Sequence, residues 1–274
     1  MGTLLMQMGL ETGEAPESWL FKEPEKVEQA HRDYAEAGSD IIQTNTFGAT
    51  PAKLAAAGLE GQCEILNARA MELARSASGG KTLVAGNIGP TGKLFPPMGT
   101  ATEDELFTEF RTQAEALASG GADLLNIETM FDLREAICAV RAANATGLVV
   151  FTSMTFDKLK RGHFTMVGDR IGSSLTALRN AGAQVVGLNC SVTPATMLSM
   201  IQEARECFDG SIIAQPNAGD PQQSPDGIEY DVDPVSFAAY LLDMVEAGAD
   251  VVGGCCGSTP DFIRETRKAL DNRG

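Results

Sequence analysis

A five-residue phrase that occurs four times along this chain limits its fold more than any other feature. The copies are residues 36–40, 119–123, 180–184 and 246–250, and each has glycine in third place and a polar residue in fifth place. Each copy follows a stretch with helical periodicity and precedes a short apolar run. Because glycine readily adopts the left-handed conformation that commonly ends a helix, the phrase is typical of a helix that turns into a strand. Four copies therefore predict a repeated helix–strand unit.

Seven short apolar runs predict seven strands, at residues 41–47, 82–88, 124–129, 148–156, 185–190, 212–217 and 251–255. Strands that alternate with helices form a parallel sheet covered by helices. The pattern alone leaves two α/β architectures open, a doubly wound open sheet and a (β/α)8 barrel of the TIM type. We favour the barrel, because polar residues suited to chemistry follow the strands along the whole chain, and the carboxyl ends of barrel strands meet at one mouth.

A closed barrel of this type needs eight strands. The chain starts too late to supply the first of them, and no change in composition marks a second domain. We therefore expect one barrel domain over residues 1–274 that lacks its first β-strand.

The composition narrows the classes of partner. The 274 residues carry a formal net charge of -16 at pH 7, which disfavours nucleic acid and anionic membranes, since both attract basic surfaces. No run of apolar residues is long enough to predict a membrane span, and the first residues lack the basic region of a signal peptide. Six cysteines are too sparse for a disulfide scaffold. We therefore expect a cytoplasmic protein with free thiols or metal-ligating thiolates.

Three cysteines stand where predicted strands end. Cys190 closes the run Val-Val-Gly-Leu-Asn-Cys, and Cys255 and Cys256 lie in Val-Val-Gly-Gly-Cys-Cys-Gly. A threonine–proline pair follows Cys190 and Cys256 at the same distance, which predicts that a helix begins just beyond each of them and favours thiolates there. Cysteines are often small buried core residues. A vicinal pair with a third cysteine at a comparable strand end nevertheless favours a metal site.

Three thiolate ligands predict a catalytic zinc site, since structural zinc takes four protein ligands and a catalytic site keeps one position open. Zn2+ with three thiolates carries net negative charge, which makes it poor at activating water and better at holding a fourth thiolate. The predicted substrate is therefore itself a thiol. The remaining cysteines lie in helical patterns and are expected to be ordinary core or half-exposed thiols, at Cys63, Cys138 and Cys207.

Polar residues at other strand ends complete the predicted site. Glu128 ends the third predicted strand and is a candidate partner for a substrate ammonium group, with a solvated loop carboxylate as the alternative. Asn217 is expected to place a carbonyl oxygen near the metal. Asn45 and Thr46 follow the first predicted strand and are further candidates for substrate contacts. The two histidines have no neighbours that indicate a ligand or a general base.

Together these segments resemble the homocysteine S-methyltransferase family, in particular the homocysteine-binding barrel of cobalamin-dependent methionine synthases. The matching stretches run in order along nearly the whole chain, at residues 43–50, 86–92, 127–132, 187–190, 216–219 and 253–260. Asn-Cys followed by Gly-Gly-Cys-Cys-Gly is the most specific part of the match.

The resemblance implies a (β/α)8 barrel with Zn2+ on Cys190, Cys255 and Cys256 and with homocysteine as the methyl acceptor. It also implies that Glu128 contacts the amino group of homocysteine and that Asn217 lies near the zinc. The implied reaction is methyl transfer to a zinc-bound homocysteine thiolate, which forms methionine without a side-chain general base.

One part of the family pattern is not matched. Family members begin with a strand that ends in Asp-Gly-x-x-Gly-Thr, and here residues 1–3 match only its end, as Met-Gly-Thr. The first strand and its aspartate, a second contact to the amino group, are therefore expected to be absent. This keeps two alternatives open, a non-catalytic or repurposed zinc- or thiol-binding barrel and a methyltransferase that acts on another thiol.

The residues leave the methyl donor open between two classes. The cobalamin and folate modules of methionine synthase are not recognised in these 274 residues. The donor is then either a separate methyl-corrinoid protein or a small sulfonium or ammonium compound, and the resemblance to the methionine synthase barrel favours the corrinoid protein.

Overall fold

The computed structural model describes residues 1–224 and 227–273. In these ranges at least one helix lies between successive strands of the main sheet, as the repeated phrase predicts. The helices are α1 (Gly2–Gln7), α2 (Trp19–Lys22), α3 (Pro24–Glu36), α4 (Pro51–Ala56), α5 (Cys63–Ser78), α6 (Glu103–Ser119), α7 (Leu133–Asn144), α8 (Ile171–Ala181), α9 (Pro194–Cys207), α10 (Pro234–Glu246) and α11 (Pro260–Asp271). The strands are β1 (Ile41–Gln43), β2 (Leu83–Ile88), β3 (Leu124–Met130), β4 (Val149–Met154), β5 (Asp157–Leu159), β6 (Gly162–Phe164), β7 (Val185–Asn189), β8 (Ser211–Gln215), β9 (Pro221–Ser224), β10 (Gly227–Tyr230) and β11 (Val251–Val252).

Seven of these strands form one parallel sheet, in the order β1-β2-β3-β4-β7-β8-β11. The others form two antiparallel hairpins, β5 with β6 and β9 with β10. Neighbouring strands of the large sheet follow each other in the chain with a helix between them, so each new strand is added on the same side. A doubly wound sheet would instead reverse its direction at a switch point. The sheet is a curled half-barrel, and the predicted α/β class and TIM-type barrel fold are confirmed.

All seven predicted strands are present, but several end earlier than predicted. β7 ends at Asn189 and β11 at Val252, so Cys190 and Cys255 lie in the loops just beyond these strands. Two glycines follow β11, and the Gly253 N–H still donates to the Ala214 carbonyl of β8 at 3.1 Å. The cysteines are therefore carried by the segments that directly follow β7 and β11.

The repeated phrase adopts the predicted conformation in all four copies. Its third residue has a positive φ each time, +99° at Gly38, +89° at Gly121, +114° at Gly182 and +106° at Gly248. Glycine adopts this conformation without the steric penalty of a side chain. Each helix can therefore stop and reverse within a few residues of the next strand.

The fifth residue of the phrase binds the neighbouring strand. In three copies its side chain accepts a hydrogen bond of 2.6–2.9 Å from a main-chain N–H at the start of the adjacent strand: Val84 to Asp123, Val150 to Gln184 and Ile212 to Asp250. In the first copy the main-chain carbonyl of Asp40 accepts from Leu83 at 3.0 Å. The phrase therefore joins successive units as well as turning the chain.

Helices cover the outer face of the sheet and share an apolar core with it. In α6, apolar residues recur every three to four positions, and Leu106, Phe110, Ala114 and Leu117 are fully buried. Within residues 1–224 and 227–273, none of the helices combines the length and the hydropathy that a membrane span requires.

The end strands of the sheet, β1 and β11, flank the open side of the half-barrel. Ile41 in β1 and both valines of β11 are half-buried, whereas every residue of the inner strand β7 is buried. A cavity of about 550 Å³ is lined by these end strands, by α3 and α11, and by the loops that carry the cysteines. The interior of the sheet and the cysteines therefore share one cavity.

We predict that Asp123→Ala lowers the free energy of unfolding by about 1–3 kcal/mol, measured by urea unfolding. The change leaves the buried Val84 N–H without its acceptor and Arg75 without its ion pair at 2.7 Å. The hydrogen bond from Arg75 lowers the pKa of Asp123 below its ordinary value of 3.8. The stabilisation is therefore present above that value and is lost as the pH falls through the folded-state pKa. The difference between wild type and variant should shrink at acid pH.

Asp40→Ala is the matched control for this prediction. Asp40 has the same place in the phrase, but its main-chain carbonyl makes the contact to the next strand and its side chain is 85% exposed. We expect a change of less than about 0.5 kcal/mol. Equal effects of the two substitutions would show that the side chain in fifth place does not join the units.

Candidate metal centre and substrate site

The sulfur atoms of Cys190, Cys255 and Cys256 come together beyond the carboxyl ends of β7 and β11. All three lie within 4.8 Å of one another, and the Sγ atoms of Cys190 and Cys256 are 3.6 Å apart. A tetrahedral site with Zn–S bonds of about 2.3 Å has sulfur atoms about 3.8 Å apart. The donor type and the spacing therefore fit a metal ion of this kind, and the three predicted ligands form a potential metal site.

β8 lies between β7 and β11 in the sheet and holds both halves of this cluster. The Cys190 N–H donates to the carbonyl of Gln215 at 2.9 Å, and the Cys255 N–H donates to the carbonyl of Pro216 at 2.8 Å. Main-chain hydrogen bonds to two consecutive residues thus set the separation of the two cysteine loops.

The chain leaves β7 through a strained turn. Cys190 and Ser191 both have a φ of +61°, in the left-handed region that residues with side chains rarely adopt. Each such residue costs about 1 kcal/mol or more, so the surrounding contacts must hold it. The Val192 N–H donates back to the Cys190 carbonyl at 2.7 Å and closes the turn.

Helices begin just beyond the cysteines, as predicted. α9 starts at Pro194, and the hydroxyl of Thr193 caps it by accepting from the Thr196 N–H at 3.4 Å. α11 starts at Pro260, where the Thr259 side chain makes no capping hydrogen bond within the described residues. The capped start of α9 places the positive end of a helix close in sequence to Cys190, which favours a thiolate.

Hydrogen bonds within the cluster divide the negative charge unequally. Those from Cys190 and Cys255 lower the pKa of Cys256, whereas hydrogen bonding to Cys190 and Cys256 raises the pKa of Cys255. Cys256 is therefore the sulfur that carries negative charge most easily. Three thiolates at these distances need a cation to balance them, and a metal that binds here releases protons.

Glu128, in β3, lines the same cavity as the three cysteines. Asn87 Nδ2 donates to its Oε1 at 2.8 Å, and Asn189 Nδ2 lies 3.5 Å from its Oε2. Burial raises the pKa of this carboxyl group, so a cationic ligand would favour its ionised form. The placement supports the predicted contact to a substrate ammonium group, which stays a prediction.

The two candidates after β1 have different surroundings. Asn45 lines the cavity, and its Nδ2 donates to the main-chain carbonyl of Pro16 at 2.8 Å. Thr46 is fully buried, and its hydroxyl donates to the Asn87 carbonyl at 2.7 Å and lies 2.7 Å from that of Thr44. Asn45 is placed to meet a ligand, whereas Thr46 holds the loop. A substrate contact by either residue stays a prediction.

Asn217 lies in the loop after β8 and is buried. Its N–H donates to the Val192 carbonyl at 3.1 Å, which joins this loop to the turn after Cys190. Among the residues that the structure describes, its Oδ1 has no hydrogen-bond partner. A buried acceptor without a partner is costly, so this oxygen has capacity for a further contact, but Asn217 is not one of the residues that line the cavity of the cysteines. The predicted place of Asn217 near the metal stays a prediction.

Two residues close to the cluster are not among the predicted site residues. Asn189 is fully buried and contacts both Glu128 and Cys255, and its signal was a polar residue ending an apolar run beside a cysteine. The ring of Tyr230 lies against Gly257, where an added Cβ would come within 2.3 Å of it. Tyr230 belongs to a hairpin remote in sequence from the cysteines, and it had no comparable signal.

The chain is similar in sequence and in fold to proteins of one family. The sequence profile described as homocysteine S-methyltransferase matches residues 1–270. The methionine synthases of Mycobacterium leprae and Mycobacterium tuberculosis are each 32% identical to this chain, over 260 and 262 residues. The matches cover 90% and 91% of this chain but 21% and 22% of the relatives, so the chain spans about a fifth of their length.

Among solved structures, the fold is similar to that of the homocysteine methyltransferase MmuM from Escherichia coli. The metallated form of MmuM has a TM-score of 0.80 and 26% identity, covering 98% of this chain and 93% of MmuM. Its oxidised form has a TM-score of 0.82 and 26% identity, covering 100% and 94%. With a family profile matched along nearly its entire length, the chain belongs to the homocysteine S-methyltransferase family.

Proposed function

We propose that this chain transfers a methyl group to the sulfur of homocysteine and so forms methionine. The observation that carries the proposal is that three cysteine thiols within 4.8 Å of one another share a cavity with the carboxyl group of Glu128. Homocysteine carries a sulfur and an ammonium group, which are the two groups that such a cavity can bind. Membership of the family and the likeness to metallated MmuM support the same reaction.

Cys190, Cys255 and Cys256 would hold a zinc ion, and the unpartnered Oδ1 of Asn217 is a further candidate ligand. When bound, zinc lowers the pKa of a thiol that ligates it, so that the thiolate form is present at neutral pH. Reduced cysteines of this kind are maintained in the cytoplasm, where we propose that the chain acts.

Glu128 would fix the opposite end of the substrate. Asn87 holds Oε1 of the carboxylate at 2.8 Å, and Oε2, whose contact to Asn189 Nδ2 is longer at 3.5 Å, would accept from the substrate ammonium group. With its amino end held, the substrate has its sulfur confined near the cysteines, and the entropy of orienting it for reaction is lost on binding. The sulfur then bonds to the methyl carbon as the carbon–donor bond breaks, and the donor keeps the electron pair.

The methyl donor is, on our proposal, a separate methyl-corrinoid protein, with a small sulfonium or ammonium compound as the second class. The test incubates the zinc-loaded protein with homocysteine and one donor of each class and measures methionine by mass spectrometry. Methionine formed with one class identifies the donor. Binding of homocysteine without methionine from any donor would contradict the methyltransferase proposal and would favour a thiol-binding barrel.

We predict that the protein purified under reducing conditions holds about one zinc ion per chain and that Cys255→Ser holds less than about a tenth of that amount. The substitution leaves two of three thiolate ligands. Metal content is measured by plasma mass spectrometry after gel filtration. Cys207→Ser is the control, since Cys207 is exposed at the end of α9, and its zinc content should equal that of the wild type. Wild-type protein without zinc would contradict the proposed metal site.

We predict that Glu128→Gln raises the KM for homocysteine by about tenfold or more, because a hydrogen bond to a charged group is worth about 1.5–3 kcal/mol. The effect on kcat should be smaller, since the ammonium group is bound in the ground state as well as in the transition state. The control substrate is 4-mercaptobutyrate, which lacks the amino group and whose KM should not change. A parallel rise in both KM values would exclude an ammonium contact at Glu128.

A further inference from the structure

Asn189, the last residue of β7, is positioned between the two halves of the site. It is fully buried and directly precedes Cys190. Its Oδ1 accepts hydrogen bonds from the Thr129 main-chain N–H and the Ser153 hydroxyl, both at 2.8 Å. A main-chain N–H can only donate, so this contact determines which side-chain atom of Asn189 is the oxygen.

The amide nitrogen of Asn189 has two hydrogens and three acceptors around it. One hydrogen goes to the Thr129 hydroxyl at 2.8 Å. The other faces Glu128 Oε2 at 3.5 Å and Cys255 Sγ at 3.8 Å. These two longer contacts share one N–H group, which therefore lies between the carboxylate and the thiol.

Asn189 also holds the backbone that follows Glu128. Thr129 has a φ of +63°, in the left-handed region that a β-branched residue rarely adopts, and the ladder between β3 and β4 is irregular at this point. Asn189 binds Thr129 twice, through its N–H and its hydroxyl. Because Glu128 comes immediately before this bend, the bend sets the direction of its carboxylate.

We propose that Asn189 is a positioning residue that fixes the distance between the carboxylate of Glu128 and the sulfur-binding cluster at Cys255. The inference rests on the proposed function, since a thiol amino acid is a substrate that binds to Glu128 and to the cysteine cluster at the same time. Such a substrate is selected by the spacing between its sulfur and its ammonium group. Homocysteine and cysteine differ in this spacing by one methylene, so Asn189 contributes to the choice between them.

The test compares the wild type with Asn189→Asp, which keeps the shape of the side chain and the oxygen that accepts from Thr129 and Ser153. The substitution removes the N–H that lies between Glu128 and Cys255. Both proteins are loaded with Co2+ and titrated with homocysteine and with cysteine, and the sulfur-to-cobalt absorption band reports binding without turnover. We expect the preference for homocysteine, as the ratio of the two Kd values, to fall about tenfold or more in the variant.

Asn126→Asp is the matched control. Asn126 is buried like Asn189 but lies in β3. Its Nδ2 donates to Gln43 Oε1 at 3.0 Å, and in the described residues it has no hydrogen bond to Glu128 or a cysteine. The variant introduces the same carboxyl group at the cavity of the cysteines, which Asn126 lines, without changing the contacts of Asn189, and so controls for the added charge. The ratio of the Kd values should change less than about twofold.

The outcomes separate the inference from the proposed function. Wild-type selectivity that survives in Asn189→Asp overturns the inference alone, as does an equal loss in the control. A wild type that binds neither thiol amino acid contradicts the proposed function and the inference with it. If Asn189→Asp does not fold by circular dichroism, Thr129→Ala takes its place, since it removes the hydroxyl that anchors Asn189 at 2.8 Å. A fall of about threefold or more then supports the inference, and an unchanged ratio overturns it.

Discussion

Two consecutive main-chain carbonyls at the end of β8 determine the geometry of the whole site. Gln215 accepts from the N–H of Cys190 and Pro216 accepts from that of Cys255, so the two cysteine loops are held on opposite sides of one strand. These are ladder-type contacts that form when the sheet forms. The main-chain hydrogen bonds of the sheet therefore hold the two cysteine loops next to each other.

The same arrangement concentrates negative charge in a small volume. Three cysteines and Glu128 line one cavity in a protein whose formal net charge is already -16. Ionised groups of like charge brought this close repel one another unless a cation lies among them. A metal ion bound by the thiols and an ammonium group bound by Glu128 would balance this negative charge at two ends of the cavity. The charge pattern thus matches a substrate that is a thiol at one end and an amine at the other.

Residue patterns predicted the features of the fold and the site that depend on residues close together in the sequence. The glycines of the repeated phrase turn as predicted, since a left-handed residue after a helix depends on the residue itself. The cysteines were found because each stands at the end of a short apolar run that predicts a strand. Contacts between distant strands had no such signal. Asn189 contacts residues of β3 and β4 and the loop after β11, which are neighbours only once the sheet has curled. The role of the Thr46 hydroxyl had no signal either, because the sequence pattern does not distinguish a polar residue that holds a loop from one that faces a cavity.

The thiol cluster also affects the stability of the sheet edge, because the end strand is short. β11 is two residues long, and in the described part of the chain its ladder partner is β8 alone. An ion shared by Cys190 and the vicinal cysteines would link the segment after β11 to the segment after β7 across β8, and so would stabilise the edge of the sheet. Removal of the ion would release the edge of the barrel as well as the reactive sulfur. The stability of the barrel edge and the ability to activate a thiol would then depend on the same ion.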